Sequence, residues 1–358
     1  MHIHQAVREY ERWLRSIVRP VPADFRRKHA LMREDKFQFF RGTFFRWAQQ
    51  WQEWCPEAGT APRVVAVGDL HIETFGTWRD LEGRLVWGVN DLDEAWRLPY
   101  TNDLVRLTAS ALIAGGGSAL SLGAADTADA ILQGYQSALE WGGRPFVLAE
   151  HHAALRTMSI ARLRDAKGYW DNLDAMPAIR ARPAAPVFRW LRRALPPGSQ
   201  DERWRHRLAG IGSLGRERIT LVADCCGSRL AREAKALAPS ACAWTAGRTG
   251  PRRRWYRFLL DRAVRCHDPA VQIKGSWILR RLAPDCSRID LPDLATAGDM
   301  RHLLDAMGRE TANIHLASGR RKLILRDLAH REPAWLLDSA QRAVEAVSRD
   351  FESWAGAA

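Results

Sequence analysis

The sequence is poor in features that would define whole classes of protein. Six cysteines occur in 358 residues, and no two of them are spaced as C-x-x-C, so neither a disulfide framework nor a thiolate metal site is indicated. No run approaches the roughly 18 consecutive apolar residues of a membrane span. The first residues lack the charged-then-apolar order of a secretory signal. We therefore expect a cytoplasmic protein with reduced thiols and no membrane association.

Lysine is also scarce, whereas arginine is abundant. Six of the 54 basic residues are lysines, and the formal net charge is +13. Because guanidinium groups bind phosphate through paired hydrogen bonds, this composition suits anionic ligands. A GC-rich genome that encodes basic residues as arginine would produce the same excess. The charge therefore indicates classes of partner and says nothing about the fold.

Two apolar, strand-like segments each lead to an aspartate. Residues 63–67 lead through Gly68 to Asp69, and residues 84–89 lead to Asp91 after a turn at 80–83. Two carboxylates at the ends of neighbouring strands suit a metal–phosphate site, because one can accept a proton from an attacking hydroxyl and the other can hold a divalent cation. The structural alternative is that both aspartates cap turns.

Further candidate residues surround these two carboxylates. His71 could orient Asp69 or a phosphate, or it could be a packed histidine bonded to a backbone carbonyl; we favour a supporting role over direct catalysis. Thr74 follows Asp69 by five residues, and Thr74 or Asp93 is a candidate metal ligand beside Asp91; Glu94 is the alternative to Asp93. In protein kinases the order is a catalytic aspartate, a five-residue step to a metal-binding asparagine, a hairpin and a metal-binding aspartate. The spacing here matches that order.

A glycine loop precedes another strand-like segment, residues 218–223. Its candidate phosphate-binding residues are Gly210, Gly212, Ser213 and Gly215. A strand, a glycine loop and a second strand form the phosphate-covering arrangement of kinases, although an ordinary hairpin could also contain these glycines. A phosphate-holding lysine should follow on the next strand. Lys235 fits that position better than Lys274, which is the reserve candidate.

Several motifs resemble those of an uncharacterised bacterial family, domain of unknown function 2252. They cover most of the chain and lie at residues 39–43, 68–76, 90–95, 212–215 and 280–284. That family is grouped with protein-kinase-like and aminoglycoside-phosphotransferase-like folds. The resemblance implies that Asp69 is the catalytic aspartate, Asp91 the metal aspartate and Lys235 the nucleotide lysine. The family normally has asparagine where this chain has Thr74, whose hydroxyl is a different ligand from an amide carbonyl.

These patterns predict an α+β protein with a two-lobed, protein-kinase-like fold. The glycine loop and its lysine follow the catalytic segment, so the fold would be circularly permuted, which close chain termini make tolerable. The predicted parts are a mainly helical catalytic segment at 1–182, a linker at 183–198, a β-rich nucleotide-covering lobe at 199–295, and C-terminal helices at 296–358 that pack on the large lobe.

The leading functional expectation is an ATP- and Mg²⁺-dependent phosphotransferase whose acceptor the sequence does not identify, a small molecule being one candidate. A degenerate kinase-like protein that binds nucleotide is the alternative that Thr74 favours. A two-metal phosphoesterase with Asp69 and His71 as ligands would need later histidine motifs, and the grouping at 313–315 falls in a predicted helix. Nucleic-acid binding through the basic run at 252–256 is a further alternative, which we do not favour.

Overall fold

The computed structural model describes residues 1–115, 122–160, 165–182, 185–248, 254–286 and 296–356. Within these ranges the chain combines helices with antiparallel sheets, which confirms the predicted α+β class. No helix in these ranges is both long enough and apolar enough to cross a membrane.

Five helices precede the first strand. They are α1 (Ile3–Ile17), α2 (Pro22–Glu34), α3 (Lys36–Gly42), α4 (Phe44–Trp54) and α5 (Pro56–Gly59). Spacings of three and four residues put Val7, Tyr10 and Leu14 on one face of α1, where all three are buried. Helix α1 is therefore amphipathic and turns its apolar face to the core.

Short antiparallel strands form the middle of the chain. They are β1 (Arg63–Ala66), β2 (Phe75–Arg79), β3 (Leu85–Val89), β4 (Trp96–Pro99) and β5 (Phe146–Val147). Strand β1 pairs with β4, and β3 lies between β2 and β5. The Asp80 carboxylate accepts hydrogen bonds from the N–H groups of Glu82 and Arg84, which closes the β2–β3 turn. The predicted hairpin is confirmed.

Six helices follow β4. They are α6 (Thr101–Gly115), α7 (Ala124–Trp141), α8 (Leu148–His151), α9 (Ala153–Ser159), α10 (Ala166–Asp174) and α11 (Pro186–Arg193). Helix α11 lies inside the segment predicted to be a linker, of which residues 183–184 lie outside the described ranges. Phe188 and Leu191 of this helix are buried in one apolar cluster with Trp204. The proline- and arginine-rich composition indicated a linker, but the segment contains a short amphipathic helix that packs on a sheet.

A five-stranded antiparallel sheet comes next. Its strands are β6 (Gln200–His206), β7 (Arg218–Cys225), β8 (Ser228–Ala236), β9 (Gln272–Lys274) and β10 (Trp277–Leu282). The spatial order is β6-β7-β8-β10-β9. Helices α12 (Ala241–Thr245) and α13 (Arg254–Arg262) lie between β8 and β9 in the chain. The predicted strand–glycine loop–strand order is confirmed by β6 and β7.

Three helices complete the described chain: α14 (Ala297–Leu316), α15 (Arg321–Leu328) and α16 (Trp335–Gly356). Helix α14 packs along α7, and α16 packs against α6. Gly308 makes the first contact possible, because a Cβ atom there would lie 2.1 Å from the carbonyl oxygen of Ile131. The main apolar cluster accordingly extends from Ile3 in the first helix to Trp354 in the last.

Candidate functional site: a charged cleft beside the five-stranded sheet

The candidate site is a cleft of about 470 Å³, a volume typical of small-molecule sites. Its walls come from the N-terminal helices, the loops after β1 and β3, the glycine loop and the inner face of the five-stranded sheet. The cleft brings Asp69, Asp91 and Lys235 together. Residues that are far apart in sequence therefore meet at one place.

Asp69 stands at the end of a tightly fixed loop that follows β1. Gly68 has a φ of 83°, and a Cβ atom there would lie 2.5 Å from the carbonyl oxygen of Glu94, so the position requires glycine. The buried Asp103 carboxylate accepts hydrogen bonds from the N–H groups of Val67 (2.6 Å) and Gly68 (3.0 Å). Helix α6 therefore sets the backbone that carries Asp69.

Arg106, also on α6, holds one oxygen of the Asp69 carboxylate. Its Nε and Nη2 atoms lie 3.0 and 2.5 Å from Oδ1, and its guanidinium is buried against the ring of Phe40, 4.0 Å from the centroid. Burial raises the pKa of Asp69, and Arg106 opposes that rise. No described residue donates a hydrogen bond to Oδ2 of Asp69, so this oxygen can accept a proton.

Asp103 belongs to a buried series of hydrogen-bonded side chains that also includes His315 and Tyr135. His315 Nε2 lies 3.1 Å from Asp103 Oδ2, and His315 Nδ1 lies 2.9 Å from the Tyr135 hydroxyl. All three side chains are fully buried. Both ring nitrogens of His315 are thus engaged, so the grouping at 313–315 does not supply the metal ligands of a phosphoesterase.

His71 and Thr74 order the turn that follows Asp69. Nδ1 of His71 accepts the N–H of Glu73 at 3.2 Å, which caps a 3-10 turn. The Thr74 hydroxyl accepts the N–H of His71 at 3.0 Å and donates to the Asp69 carbonyl at 3.2 Å. Both side chains are buried beside the cleft. The supporting role expected of His71 is consistent with this geometry, whereas the Thr74 hydroxyl is largely used by the backbone.

Lys235 bridges the two carboxylates that follow β3. Its Nζ atom lies 2.9 Å from Asp91 Oδ2 and 2.5 Å from Asp93 Oδ2. Burial alone would raise the pKa of Asp91, but Lys235 and Arg280 together hold it well below its usual value. Lys274 is exposed on the edge strand β9 and does not line the cleft. Of the two candidate lysines, Lys235 therefore occupies the predicted location.

The glycine loop closes the cleft above Asp69. Gly210 and Gly215 have φ values of 70° and 96°, which favour glycine. A Cβ atom at Gly215 would lie 2.5 Å from the ring of Phe25, so the loop rests directly on α2. A Cβ atom at Gly212 would lie 3.4 Å from Asp69 Oδ2. The predicted loop and the predicted catalytic carboxylate are therefore neighbours.

The Ser213 side chain makes hydrogen bonds within and next to the glycine loop. Its hydroxyl accepts a hydrogen bond from Arg218 Nη2 at 2.6 Å and lies 3.0 Å from the carbonyl oxygen of Gly210. The N–H groups of Ile211 and Gly212 have no hydrogen-bond partner among the described residues. Backbone groups of this loop, more than the serine side chain, are left to contact a ligand.

An arginine cluster that the sequence analysis missed covers the sheet side of the cleft. Arg207, Arg218 and Arg280 all donate to the fully buried Glu233 carboxylate at 2.9–3.0 Å. Burial alone would raise the pKa of Glu233, but the three guanidinium groups hold it well below its usual value. Three cations around one carboxylate leave an excess of positive charge beside Lys235. Such a surface suits a polyphosphate.

The sequence carried a signal for only some of the missed residues. Arg106 interrupts the apolar pattern of α6, and a cation in such a pattern is rarely buried without a partner. Asp103 lies in the first turn of α6, where acidic residues are common, so its position does not reveal its contact with the Asp69 loop. The pairing of β7, β8 and β10 gathers the arginines around Glu233, and no local pattern reveals which side chains meet across a sheet.

The oxygen ligands in the cleft fit a hard cation. Asp91 and Asp93 present carboxylates, and Asn90 adds an amide beside them; Mg²⁺ prefers such oxygen atoms. Among the described residues, no three His, Cys, Asp or Glu side chains already form a metal-binding group.

The fold and the cleft define a mixed α+β protein in which an acidic loop faces an arginine-rich sheet. Residues 19–182 match the model of a family described as an uncharacterized protein conserved in bacteria, DUF2252. This match confirms the resemblance for the segment that holds Asp69 and Asp91; the matched segment ends before the glycine loop. No curated protein and no solved structure matches the chain.

Proposed function

We propose that the chain is an ATP- and Mg²⁺-dependent phosphotransferase with a circularly permuted, protein-kinase-like arrangement and a small-molecule acceptor. One observation carries the proposal: Lys235 follows Asp91 by 144 positions, yet its ammonium pairs with that carboxylate in the cleft that also contains Asp69. A base, a metal-binding acid and a phosphate-binding lysine are the groups that phosphoryl transfer uses.

Asp69 would act as the base. Its free Oδ2 atom would accept the proton of an acceptor hydroxyl while that hydroxyl oxygen forms a bond to the γ-phosphorus of ATP. The bond between this phosphorus and the oxygen that bridges to the β-phosphorus would break, and ADP would leave with that electron pair. Catalysis would come mainly from positioning and charge neutralisation.

The phosphates would lie between the acidic loop and the sheet. Lys235, Arg207 and Arg280 would bind them, and the free N–H groups of the glycine loop would cover them. Asp91, with Asp93 and Asn90, would hold Mg²⁺, which neutralises phosphate charge when it is bound. In this arrangement the Lys235 ammonium would move from the two carboxylates to a phosphate oxygen.

The lining of the cleft also includes surface that suits a nucleoside base. Its apolar and aromatic residues include Tyr169, Tyr256, Leu260, Val271 and Leu282. Flat apolar surfaces with few polar groups are typical of sites for small aromatic ligands. The base would thus contact these side chains.

A catalytically impaired, nucleotide-binding protein is the second candidate. It is favoured by Thr74, whose hydroxyl is engaged with the backbone on both sides, and by the close pairing of Arg106 with Asp69. The two candidates agree on nucleotide binding and differ in turnover. ADP formation in the presence of candidate acceptors would separate them.

The test is calorimetric titration of Mg²⁺–ATP into the native chain and into Asp91→Ala. We expect a loss of affinity of about tenfold or more in Asp91→Ala, because charge-assisted contacts contribute about 1.5–3 kcal/mol. Asp126→Ala is the control, since that aspartate is an exposed partner of Arg301. Unchanged Mg²⁺–ATP binding in Asp91→Ala would contradict the proposal.

A further inference from the structure

A lysine that no motif singled out stands inside the cleft. Lys28 lies on α2, on the face that also buries Phe25 and Met32, and it is only 4% exposed. Gly42 packs against this face, since a Cβ atom there would lie 2.9 Å from Met32 and at the ordinary contact distance of 3.5 Å from the Cε atom of Lys28. A lysine on the apolar face of a helix is rarely buried unless it is paired.

The Lys28 ammonium has no such partner among the described residues. It makes no hydrogen bond there, and no carboxylate lies within ion-pair distance; the ring of Phe45 is near, with its centroid 6.0 Å away. Burial lowers the pKa of Lys28 to about 8. Nearby Glu11, Asp69 and Glu94 raise this pKa in part, whereas Arg216 lowers it further.

The neighbouring carboxylates are already engaged elsewhere. Glu11 pairs with His29, and Asp69 pairs with Arg106. Glu94 accepts the N–H of Ala241 and lies near Arg216. Each of these three carboxylates already accepts a hydrogen bond from another group. A rotation of the Lys28 side chain would therefore not bring its ammonium to a free counter-ion. The positive charge is left facing the cleft.

A second unpartnered donor lines the same cleft and, like Lys28, lies near the ring of Phe45. Tyr10 is 6% exposed, and its ring stacks on Phe45 with centroids 4.4 Å apart. Its hydroxyl has no hydrogen-bond partner among the described residues, although it lines the same cleft. Two donors that have no protein acceptor and open into the cleft are available to a ligand that brings an acceptor.

We propose that Lys28 and Tyr10 form a subsite for an anionic group, a carboxylate or a phosphate. The further statement that this group belongs to the acceptor rests on the proposed phosphotransferase function. The acceptor would then be a small molecule that carries both a hydroxyl and an anion. Its anion would bind Lys28 and Tyr10, and its hydroxyl would meet Asp69, which lines the same cleft.

The small number of lysines allows a direct test. The full chain labelled with ¹³C in lysine should give signals from six residues, and Lys28→Met identifies the one that belongs to Lys28. Inorganic phosphate and acetate, titrated separately, distinguish the two kinds of anion. We expect at least one of them to shift the Lys28 signal saturably and to raise the Lys28 pKa towards the ordinary value.

Variants separate recognition from folding. We expect Lys28→Met to lose about tenfold or more of the affinity for that anion, and Tyr10→Phe to lose about threefold to about tenfold. Lys28→Met should also raise the melting temperature of the ligand-free chain, since it removes an unpaired buried charge. Tyr10→Phe keeps the ring stack and so tests the hydroxyl alone.

Lys322→Met, at an exposed lysine, is the matched control and should leave anion binding unchanged. The subsite would be refuted if Lys28 does not respond to either anion, or if its signal moves only as the Lys322 signal does. Neither readout needs nucleotide, and the Asp91→Ala titration does not need Lys28. Failure of the subsite is therefore distinguishable from failure of the proposed function.

Discussion

Several side chains near the cleft fix the backbone of its loops through hydrogen bonds. The loop that carries Asp69 depends on Asp103 for its N–H groups and on Thr74 for its carbonyl. Such contacts are made inside the protein, where an unpaired polar group costs about 1–3 kcal/mol. A substitution that keeps the shape of a side chain but removes its hydrogen bonds should therefore be measurable.

Thr74→Val tests the structural role of the threonine hydroxyl. Valine fills the same volume but leaves the His71 N–H and the Asp69 carbonyl unpaired, so we expect a loss of about 1–3 kcal/mol in the free energy of unfolding. Urea denaturation measures it. Thr157→Val is the control, because that threonine is exposed and bonds only to the carbonyl one turn earlier. Equal effects at the two sites would contradict the structural role.

Sequence patterns located the two aspartates but not their partners. Asp69 and Asp91 were found because each ends a short apolar strand, which is a local signal. The pairing of Arg106 with Asp69 spans 37 positions, and the placement of Lys28 and Tyr10 near Phe45 depends on how α1, α2 and α4 pack. Local periodicity predicts that a side chain is buried, but it does not predict which residues that side chain contacts.

At the level of elements, the packing of α14 on α7 is set by two glycines. A Cβ atom at Gly134 would lie 2.1 Å from the carbonyl oxygen of Asp305, and one at Gly308 would lie 2.1 Å from that of Ile131. Glycine is otherwise unfavourable inside a helix by about 1 kcal/mol relative to alanine. The close approach of the two helices explains why these helix interiors contain glycine.

Gly308→Ala should therefore destabilise the chain although alanine is the better helix former. The added methyl group would force α14 away from α7, and overpacking of this kind costs about 1–3 kcal/mol. Chemical denaturation of Gly298→Ala provides the comparison. Gly298 is exposed in the same helix, with its nearest atom 3.5 Å away, so that variant should be neutral or stabilised by up to about 1 kcal/mol. A stabilised Gly308→Ala would refute the tight contact.

Elements with strong periodicity were predictable, and those defined by packing were not. The β2–β3 hairpin follows from the apolar run of β3 and the turn residues at 80–83, and helix α16 follows from three- and four-residue spacing. Helix α11 was missed, since its eight residues lie in a segment rich in proline and arginine. A helix this short is stabilised mainly by the face that Phe188 and Leu191 bury against the sheet.

Across the whole molecule, the C-terminal helices stabilise the strand that leads to Asp91. Glu310 on α14 accepts the N–H of Val89, 221 positions earlier, and also accepts a hydrogen bond from Asn313. Burial raises the pKa of Glu310 from 4.5 to about 7, and nearby Arg265 opposes the rise. The folded chain therefore binds a proton at this carboxyl in a pH range where the unfolded chain does not.

Glu310→Gln should remove one component of the pH dependence of stability. Because the folded pKa exceeds the unfolded one, this group lowers the free energy of unfolding as pH rises from 4.5 to about 7. The effect approaches about 3 kcal/mol at most, at about 1.4 kcal/mol per pKa unit. The free energy of unfolding of the variant minus that of the native chain should thus be more favourable to the variant at about pH 8 than at about pH 5.

Urea denaturation at the two pH values measures this difference. Glu345→Gln, at an exposed position of α16, is the control and should change stability equally at both. If Glu310→Gln likewise shifts stability by the same amount at both pH values, the carboxyl is not protonated in the fold. The spacing of motifs along the sequence predicted the cleft residues Asp69, Asp91 and Lys235. The burial of Glu310 depends on how α14 packs, and no local pattern predicts it.

The position of Lys235 has a consequence for the sequence of binding events. Its ammonium already neutralises Asp91 and Asp93, so these acids have an internal counter-ion. Under the proposed function, a divalent ion that arrived alone would have to compete with the ammonium of Lys235, whereas a nucleotide that arrived with its ion would offer the lysine a new anion at the same moment. Occupancy of the cleft would then be an exchange of ionic partners, and weak affinity for the free ion would accompany strong affinity for the complex.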